Sequence, residues 1–154
     1  MPILSVQFQA QMQPGALLHK EGPKVPVEVR VPAELEVLLQ KESKPVPSPV
    51  RGLALIDTGA TLSMIDEEAI QHLCVSPVGS VVLGTAGGAK QSALYPVRLA
   101  IVIPPNPPVV AAQIAQITCG PLKPQGLLCL LGRDLLQHAL FVYDGASGRF
   151  TIAF

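Results

Sequence analysis

An aspartate follows directly on a short apolar run near the middle of the chain. Residues 53–56 are all apolar, and Asp57, Thr58 and Gly59 come next. A carboxylate at the end of a buried strand is unfavourable unless it is paired or hydrogen-bonded, so a fold that keeps one there has a use for it. The Thr58 hydroxyl donates and accepts hydrogen bonds, and Gly59 allows backbone to approach closely. The run therefore predicts a strand that presents a reactive carboxylate.

The surrounding sequence predicts a mostly β protein of one domain. Sixteen prolines and thirteen glycines separate short runs rich in β-branched residues, which is typical of many short strands and turns. Apolar residues alternate in segments 3–12 and 25–31, which predicts half-buried strands. Helices are predicted at 32–41 and at 67–73, where Asp66 is placed to cap the first turn. At 154 residues the chain is long enough to bury a core.

Two later segments add candidate site residues. Residues 81–83 and 92–103 predict the strands of a hairpin, and its glycine-rich connection consists of Gly84, Thr85, Ala86, Gly87 and Gly88. This connection lacks the Gly-Lys-Ser/Thr ending of a phosphate-binding loop and leads into a strand, so it does not predict a nucleotide site. Near the C-terminus, the apolar run 127–131 leads into a glycine and a charged pair before a short helix: Gly132, Arg133 and Asp134.

The motif Asp57-Thr58-Gly59-Ala60 after an apolar strand resembles the active-site motif of aspartic proteases, in the single-motif, retropepsin-like branch that includes retroviral, bacterial and cellular members. The order of strand, motif, short helix, glycine-rich hairpin, Gly132-Arg133-Asp134 and closing strands resembles that family over residues 50–154. The resemblance implies a mostly β, closed barrel-like retropepsin fold with one or two short helices, a flap hairpin and a homodimer. Residues 1–49 are expected to form an N-terminal arm, with strands, a short helix and a proline-rich loop, on the same domain as this protease core.

The resemblance also implies roles for these residues. Asp57, Thr58 and Gly59 would be catalytic, and two copies of Asp57 would meet in a symmetric homodimer, because the chain carries a single Asp-Thr-Gly. Such a pair shares one proton and activates water for peptide hydrolysis. Ala60 and residues 84–88 would bind an extended peptide through main-chain hydrogen bonds. Gly132, Arg133 and Asp134 would support the site.

One position departs from the viral pattern. Retroviral enzymes usually carry an acid four residues after the catalytic aspartate, which pairs with the arginine of the late motif, whereas this chain has Thr61 there. Arg133 therefore needs another partner, with the C-terminal carbonyls as one candidate, and Asp134 is expected to pair locally.

Composition limits the partners. Eleven basic and eleven acidic side chains leave a formal charge of zero, so no nucleic acid or anionic membrane is expected as a partner.

No cofactor or metal is expected, since Glu67 and Glu68 with His72 fit a solvated helix turn better than a ligand set. No signal peptide or membrane-spanning run is apparent, and a cytoplasmic protein is expected. Three cysteines without CxxC spacing indicate buried free thiols in a reducing compartment: Cys74, Cys119 and Cys129.

Two other functions stay open. The first is a non-catalytic dimeric module of the same fold that binds peptides without cleaving them. The second is a serine or cysteine hydrolase, although no Gly-x-Ser-x-Gly motif is present. The residue types for a hydrolase are available in Ser63, the three cysteines, His19, His72 and His138.

Overall fold

A computed structural model describes residues 3–7, 14–85, 87–102 and 110–154, which form ten strands, four α-helices and one 3-10 turn. The predicted strand residues 8–12, Ala86 and residues 103–109 lie outside the described residues. The strands are β1 (Ile3–Gln7), β2 (Lys24–Arg30), β3 (Val50–Ile56), β4 (Met64–Asp66), β5 (Gly79–Thr85), β6 (Gly88–Ile101), β7 (Val110–Gly120), β8 (Cys129–Leu131), β9 (Leu140–Asp144) and β10 (Arg149–Ala153). The helices are α1 (Pro14–Glu21), α2 (Ala33–Lys41), α3 (Glu67–Leu73) and α4 (Arg133–Leu136), and the 3-10 turn is Lys123–Gln125.

Six strands close into a ring. The order in the larger sheet is β2-β3-β8-β4-β7-β6-β5, and β6 also pairs with β2, so that β5 extends outside the ring. The pairs β3–β8 and β4–β7 are parallel, and the other pairs of this sheet are antiparallel. The prediction of a mostly β, closed barrel-like fold is confirmed.

The alternation predicted for β2 places its valines inside the barrel. Val25, Val27 and Val29 are buried, and they meet Ile65 and Leu131 from other strands in one apolar core. Burial of a branched aliphatic side chain contributes about 1.5–3 kcal/mol to folding. The period-two pattern therefore fixes which face of the strand points inward.

A second sheet, β1-β10-β9, joins the first and last parts of the chain. Helix α1, which the sequence did not predict, packs at the turn between β9 and β10. A Cβ on Gly15 would lie 2.4 Å from the Gly145 carbonyl oxygen, and one on Gly148, whose φ is +65°, would lie 2.3 Å from the Pro14 carbonyl carbon. These glycines allow the close contact. With α1, the described residues contain four short helices where one or two were expected.

Asp66 caps α3, as predicted, and holds a second segment as well. One carboxylate oxygen, Oδ1, accepts a hydrogen bond from the Glu68 amide at 3.1 Å. The other oxygen accepts from the amides of Leu122 at 2.9 Å and Lys123 at 2.8 Å. Asp66 is buried, and these three amides satisfy the charge that burial would otherwise penalise.

The cysteines are free, as predicted, but the expected burial holds fully for Cys129 alone: Cys119 is half-buried, and Cys74 is exposed at the C-terminal end of α3. No helix in the described ranges has both the length and the apolar composition needed to cross a membrane.

Glu28 is the one acidic side chain of β2, and it is almost fully covered. Its carboxylate oxygens lie 2.6 Å from Arg30 Nε and 2.7 Å from Arg51 Nε. Burial by itself raises the pKa of the Glu28 carboxyl, but the hydrogen bonds from Arg51 and Arg30 outweigh it and hold the pKa below its usual value. Because the folded-state pKa is lowered, this contribution to stability is present above the pKa of the unfolded chain and is lost as the pH falls through the folded-state pKa.

We expect Glu28→Gln to lower the free energy of unfolding at neutral pH by about 1–2 kcal/mol, because it removes the charge from both arginine contacts. The difference from the wild type should shrink below about pH 4, where the wild-type carboxyl also becomes neutral. Urea unfolding at neutral and acidic pH measures both effects. The control is Glu42→Gln, which removes an exposed pair with Lys44 and should change stability by about 0.5 kcal/mol or less. Equal losses in the two variants at neutral pH would contradict the prediction.

Candidate active site

Asp57 lies at the end of β3, in a turn that its own side chain stabilises. Its backbone amide donates to the Leu131 carbonyl at 2.9 Å, which extends the pairing of β3 with β8 by one residue. Asp57 Oδ1 accepts hydrogen bonds from the amides of Gly59 at 2.9 Å and Ala60 at 3.3 Å. None of the described residues hydrogen-bonds to Oδ2. The turn therefore fixes one carboxylate oxygen and leaves the other available, on a half-buried side chain.

Strand β8 brings the late motif to the same place. It runs parallel to β3 with Ile56 opposite Leu131, so the chain leaves both strands at the same end of the barrel. The Arg133 amide donates to the Ala60 carbonyl at 2.9 Å. At Gly132, a Cβ would lie 2.7 Å from the carbonyl carbon of Leu62 and would clash with backbone. The predicted residues of both motifs are thus brought together, and glycine at this position permits the contact.

The Arg133 side chain donates hydrogen bonds to the turn that follows Asp57. Its Nη1 donates to the carbonyls of Thr58 at 2.8 Å and Gly59 at 2.9 Å, and its Nη2 donates to Thr61 Oγ1 at 2.9 Å. The hydroxyl of Thr61 therefore takes the contact that an acid makes in the viral pattern. The partners are carbonyls of the Asp57 turn, and not the C-terminal carbonyls considered from the sequence.

Asp134 joins a buried network with Ser63, beyond the local pairing that we expected. Its Oδ2 accepts from the Ser63 amide at 2.9 Å, and its Oδ1 accepts from the Ser63 hydroxyl at 2.7 Å. The same hydroxyl oxygen accepts from the Gly132 amide at 2.9 Å. A local contact is also present, because the Leu135 amide donates to Oδ1 at 3.0 Å. Ser63 is fully buried, so its hydroxyl works as a structural link between the two motifs.

The glycine-rich hairpin is formed by β5 and β6, with Thr85 opposite Gly88. Gly88 has φ +109°, a conformation that favours glycine, and Gly87 lies in the turn. A Cβ added to Gly84 would meet no atom within 4 Å. Among the described strands, β5 pairs with β6 alone, so the hairpin leaves the ring at one side. Ala86, predicted to contact substrate, lies outside the described residues, and Thr85 is described by its backbone.

Two of the candidate hydrolase residues, Cys129 and His72, are not placed to act as a nucleophile and a base. Burial raises the pKa of the Cys129 thiol far above its usual value, with a further contribution from Asp66, so this thiol is not a nucleophile. His19 and His138 are exposed. His72 Nε2 lies 3.0 Å from the Ser48 carbonyl and 3.1 Å from the Ser48 hydroxyl. A carbonyl only accepts, so Nε2 carries the proton and is not a base for that hydroxyl.

Metal ligands do not gather in the described part of the chain. No group of three or more His, Cys, Asp or Glu side chains with the spacing for a metal ion is present among those residues.

No protein-family model matches the chain, and no curated protein sequence matches it either. Solved structures do resemble it. EIAV protease, solved with the inhibitor HBY-793, matches 86% of this chain and 93% of its own, with 16% identity and a TM-score of 0.49. A retropepsin-like aspartic protease from Rickettsia conorii matches 98% of this chain and 90% of its own, with 14% identity and a TM-score of 0.46.

A third similar structure is the foamy viral protease-reverse transcriptase, solved with an RNA/DNA hybrid. Its match has 16% identity and a TM-score of 0.47, and it spans 79% of this chain but only 12% of the viral chain. With identities this low, the function has to be argued from this chain's own residues.

Sequence reasoning missed two residues that build the site. Ser63 was considered only as a nucleophile and Thr61 only as a departure from the viral pattern, yet they bind Asp134 and Arg133. The partners are 71 and 72 residues apart in the chain. The only hint in the sequence was that both hydroxyls lie within a few residues of the Asp-Thr-Gly motif. The neighbouring residues gave no indication that the partners would be Asp134 and Arg133.

We expect Ser63→Ala to lower the free energy of unfolding by about 2–3 kcal/mol, because it leaves the buried Gly132 amide without its acceptor and removes one of the two hydrogen bonds to Asp134 Oδ1. Ser76→Ala, at an exposed position, is the matched control and should change it by about 0.5 kcal/mol or less. Chemical denaturation of both variants is the measurement. A Ser63→Ala protein as stable as the control would show that the link contributes nothing.

Proposed function

We propose that the chain is an aspartic endopeptidase, active as a symmetric homodimer in which each subunit supplies one Asp57. The observation that carries the proposal is the turn at the end of β3. It holds Asp57 Oδ1 with two backbone amides and is itself held by Arg133 through the carbonyls of Thr58 and Gly59. A carboxylate fixed this firmly at a strand end, with Oδ2 available, suits the positioning of a reacting water.

The second carboxylate has to come from another copy. The chain contains a single Asp-Thr-Gly, and the other acids near the turn are engaged: Asp134 by Ser63, and Asp66 by the cap of α3 and the amides of Leu122 and Lys123. In the dimer, two Asp57 side chains near a twofold axis would share one proton, because two adjacent carboxylates do not easily ionise together.

The reaction follows from that shared proton. The ionised carboxylate takes a proton from water as the water oxygen bonds to the scissile carbonyl carbon, and the protonated carboxyl donates its proton to the carbonyl oxygen. The tetrahedral intermediate then collapses: the carboxyl that took the water proton gives it to the leaving amine as the C–N bond breaks, and the other carboxylate takes a proton from a hydroxyl of the intermediate, which restores the shared-proton pair. Activity should therefore be highest at acidic to mildly acidic pH, since it needs one protonated and one ionised group.

The substrate would be an extended peptide. Ala60 and the hairpin residues 84–88 would bind its main chain, and the outer edge of β5 supports this because no described strand pairs with it on that side. Thr58 would connect the two Asp57 turns of the dimer through its hydroxyl. Location in the cytoplasm and the division at residue 49 stay predictions.

Substitution of Asp57 tests its proposed catalytic role. Asp57→Asn should reduce cleavage of a diverse peptide library by at least about a thousandfold, because the amide neither accepts nor delivers the shared proton. The assay covers about pH 4 to pH 7, where a proton-sharing pair is active. Asp144→Asn is the matched control. Asp144 accepts hydrogen bonds from Ser147 in the exposed β9–β10 turn, and the control should keep wild-type activity.

Two outcomes of this cleavage assay would contradict the proposal. Cuts that persist in Asp57→Asn would reject the mechanism. A folded wild-type dimer that binds peptides but makes no cuts would favour the alternative, a peptide-binding module of the same fold.

A further inference from the structure

Two arginines share one buried carboxylate on the outer face of the barrel. Glu28 of β2 lies opposite Arg51 of β3, and Arg30 is two residues further along β2, so the three side chains lie on the same face. Glu28 Oε1 accepts a hydrogen bond from Arg30 Nε, and its Oε2 accepts one from Arg51 Nε. The Glu28 side chain is 1% exposed, whereas those of Arg30 and Arg51 are 41% and 74% exposed. One carboxylate therefore holds two guanidinium groups side by side at the surface.

Both guanidinium groups keep hydrogen-bond donors that the protein does not use. Arg30 and Arg51 each contact Glu28 through Nε, and no described residue accepts a hydrogen bond from their Nη1 or Nη2 atoms. Arg98 of β6 lies opposite Arg30, but Glu36 of α2 binds it. The group thus has three guanidinium groups for two carboxylates, which leaves one positive charge unbalanced. Unused guanidinium donors with excess positive charge suit an oxyanion.

A cleft of about 530 Å³ opens beside Arg51, between the start of β3, α3 and the segment that leads into β8. Much of its lining is apolar, and Leu53, which shares the outer face of β3 with Arg51, is 43% exposed. The other charged side chains of the lining are engaged: Lys123 with Glu68, and Asp66 with backbone amides. The cleft therefore offers unused cationic donors at one side and apolar surface next to them.

We propose that Arg30 and Arg51 bind the phosphate group of a small phosphomonoester, and that the cleft beside Arg51 holds its apolar or aromatic body. A phosphate monoester carries nearly two negative charges and three acceptor oxygens, enough for both guanidinium groups, whereas a carboxylate has one charge and two oxygens. The site does not depend on the proposed function. Arg51 is six residues before Asp57 on the same strand, so the two are about 20 Å apart.

The first test compares three probes on the wild-type protein by isothermal titration calorimetry at about 0.1 M salt. Phenyl phosphate, which has both the head and the body, should bind with a dissociation constant below about 1 mM. Inorganic phosphate lacks the body, and benzoate replaces the phosphate by a carboxylate. Each should bind at least about fivefold more weakly than phenyl phosphate.

A second test changes the donors and keeps the charge. Arg51→Lys retains a cation beside Glu28 but loses the planar fork, so the dissociation constant for phenyl phosphate should rise at least about tenfold. Urea unfolding verifies that the variant is as stable as the wild type to within about 1 kcal/mol. The matched control is Arg149→Lys, an exposed arginine of β10, which should leave the constant within about twofold of wild type.

A third test addresses the cleft. Leu53→Thr should weaken the binding of phenyl phosphate at least about threefold and leave that of inorganic phosphate unchanged, because it removes apolar surface and no donor. Leu140→Thr, at an exposed leucine on β9, is the matched control and should change neither constant.

Each remaining outcome overturns a stated part of the inference. A wild-type constant for phenyl phosphate above about 1 mM, or an Arg51→Lys variant that binds as the wild type does, overturns the phosphate site. Benzoate binding as tight as that of phenyl phosphate overturns the ligand class. Equal binding of phenyl phosphate and inorganic phosphate, or no effect of Leu53→Thr, overturns the role of the cleft. Loss of binding in Asp57→Asn would place the ligand at the Asp57 turn and reject a separate site. Peptide cleavage enters none of these results, so the failure of the proposed function would leave them unchanged.

Discussion

The parallel register of β3 against β8 is the constraint on which the rest of the site depends. Ile56 lies opposite Leu131, and the Asp57 amide binds the Leu131 carbonyl. Each strand then delivers its motif at the same end of the barrel. A slip of one residue would turn the apolar side chains of β8 to the wrong face, and it would also move Arg133 away from the Asp57 turn. Burial of Ile56, Cys129 and Leu131 therefore sets the geometry of the polar site.

Once the register brings the two motifs together, the polar contacts between them stabilise the Asp57 turn. Ser63 is the centre of the buried part, since it binds Asp134 twice and the Gly132 amide once. Arg133 forms the exposed part, with two turn carbonyls and Thr61 as its acceptors. All of these acceptors are neutral, so the arginine works here as a set of directed donors and does not need an acid beside it. The threonine that departs from the viral pattern is in this sense compatible with the same architecture.

Local signals predicted most of the elements and only part of the site. The apolar run before Asp57, the acids at the start of α3 and the cap at Asp66 are interactions within a few residues, and the structure has them where they were predicted. Helix α1 was missed because its cause is tertiary. Pro14-Gly15 is a turn signal in isolation, yet Leu18 is fully buried and Gly15 fits against the β9–β10 turn. The partners of Arg133 and Asp134 were missed for the same reason, since a single sequence does not identify contacts across 70 or more residues.

Closure of the barrel limits how two copies can meet through their strands. The six strands of the ring have both edges occupied, so the open edges among the described strands belong to β5, β1 and β9. An extended peptide would use β5, where the glycine-rich hairpin leaves the ring. Strand β1 presents Ser5 and Gln7, which bind Thr151 and Arg149 of their own sheet. Strand β9 presents exposed Leu140, Val142 and Tyr143 and ends in Asp144. Among the described strands, a second copy that pairs edge to edge therefore has to use one of these three.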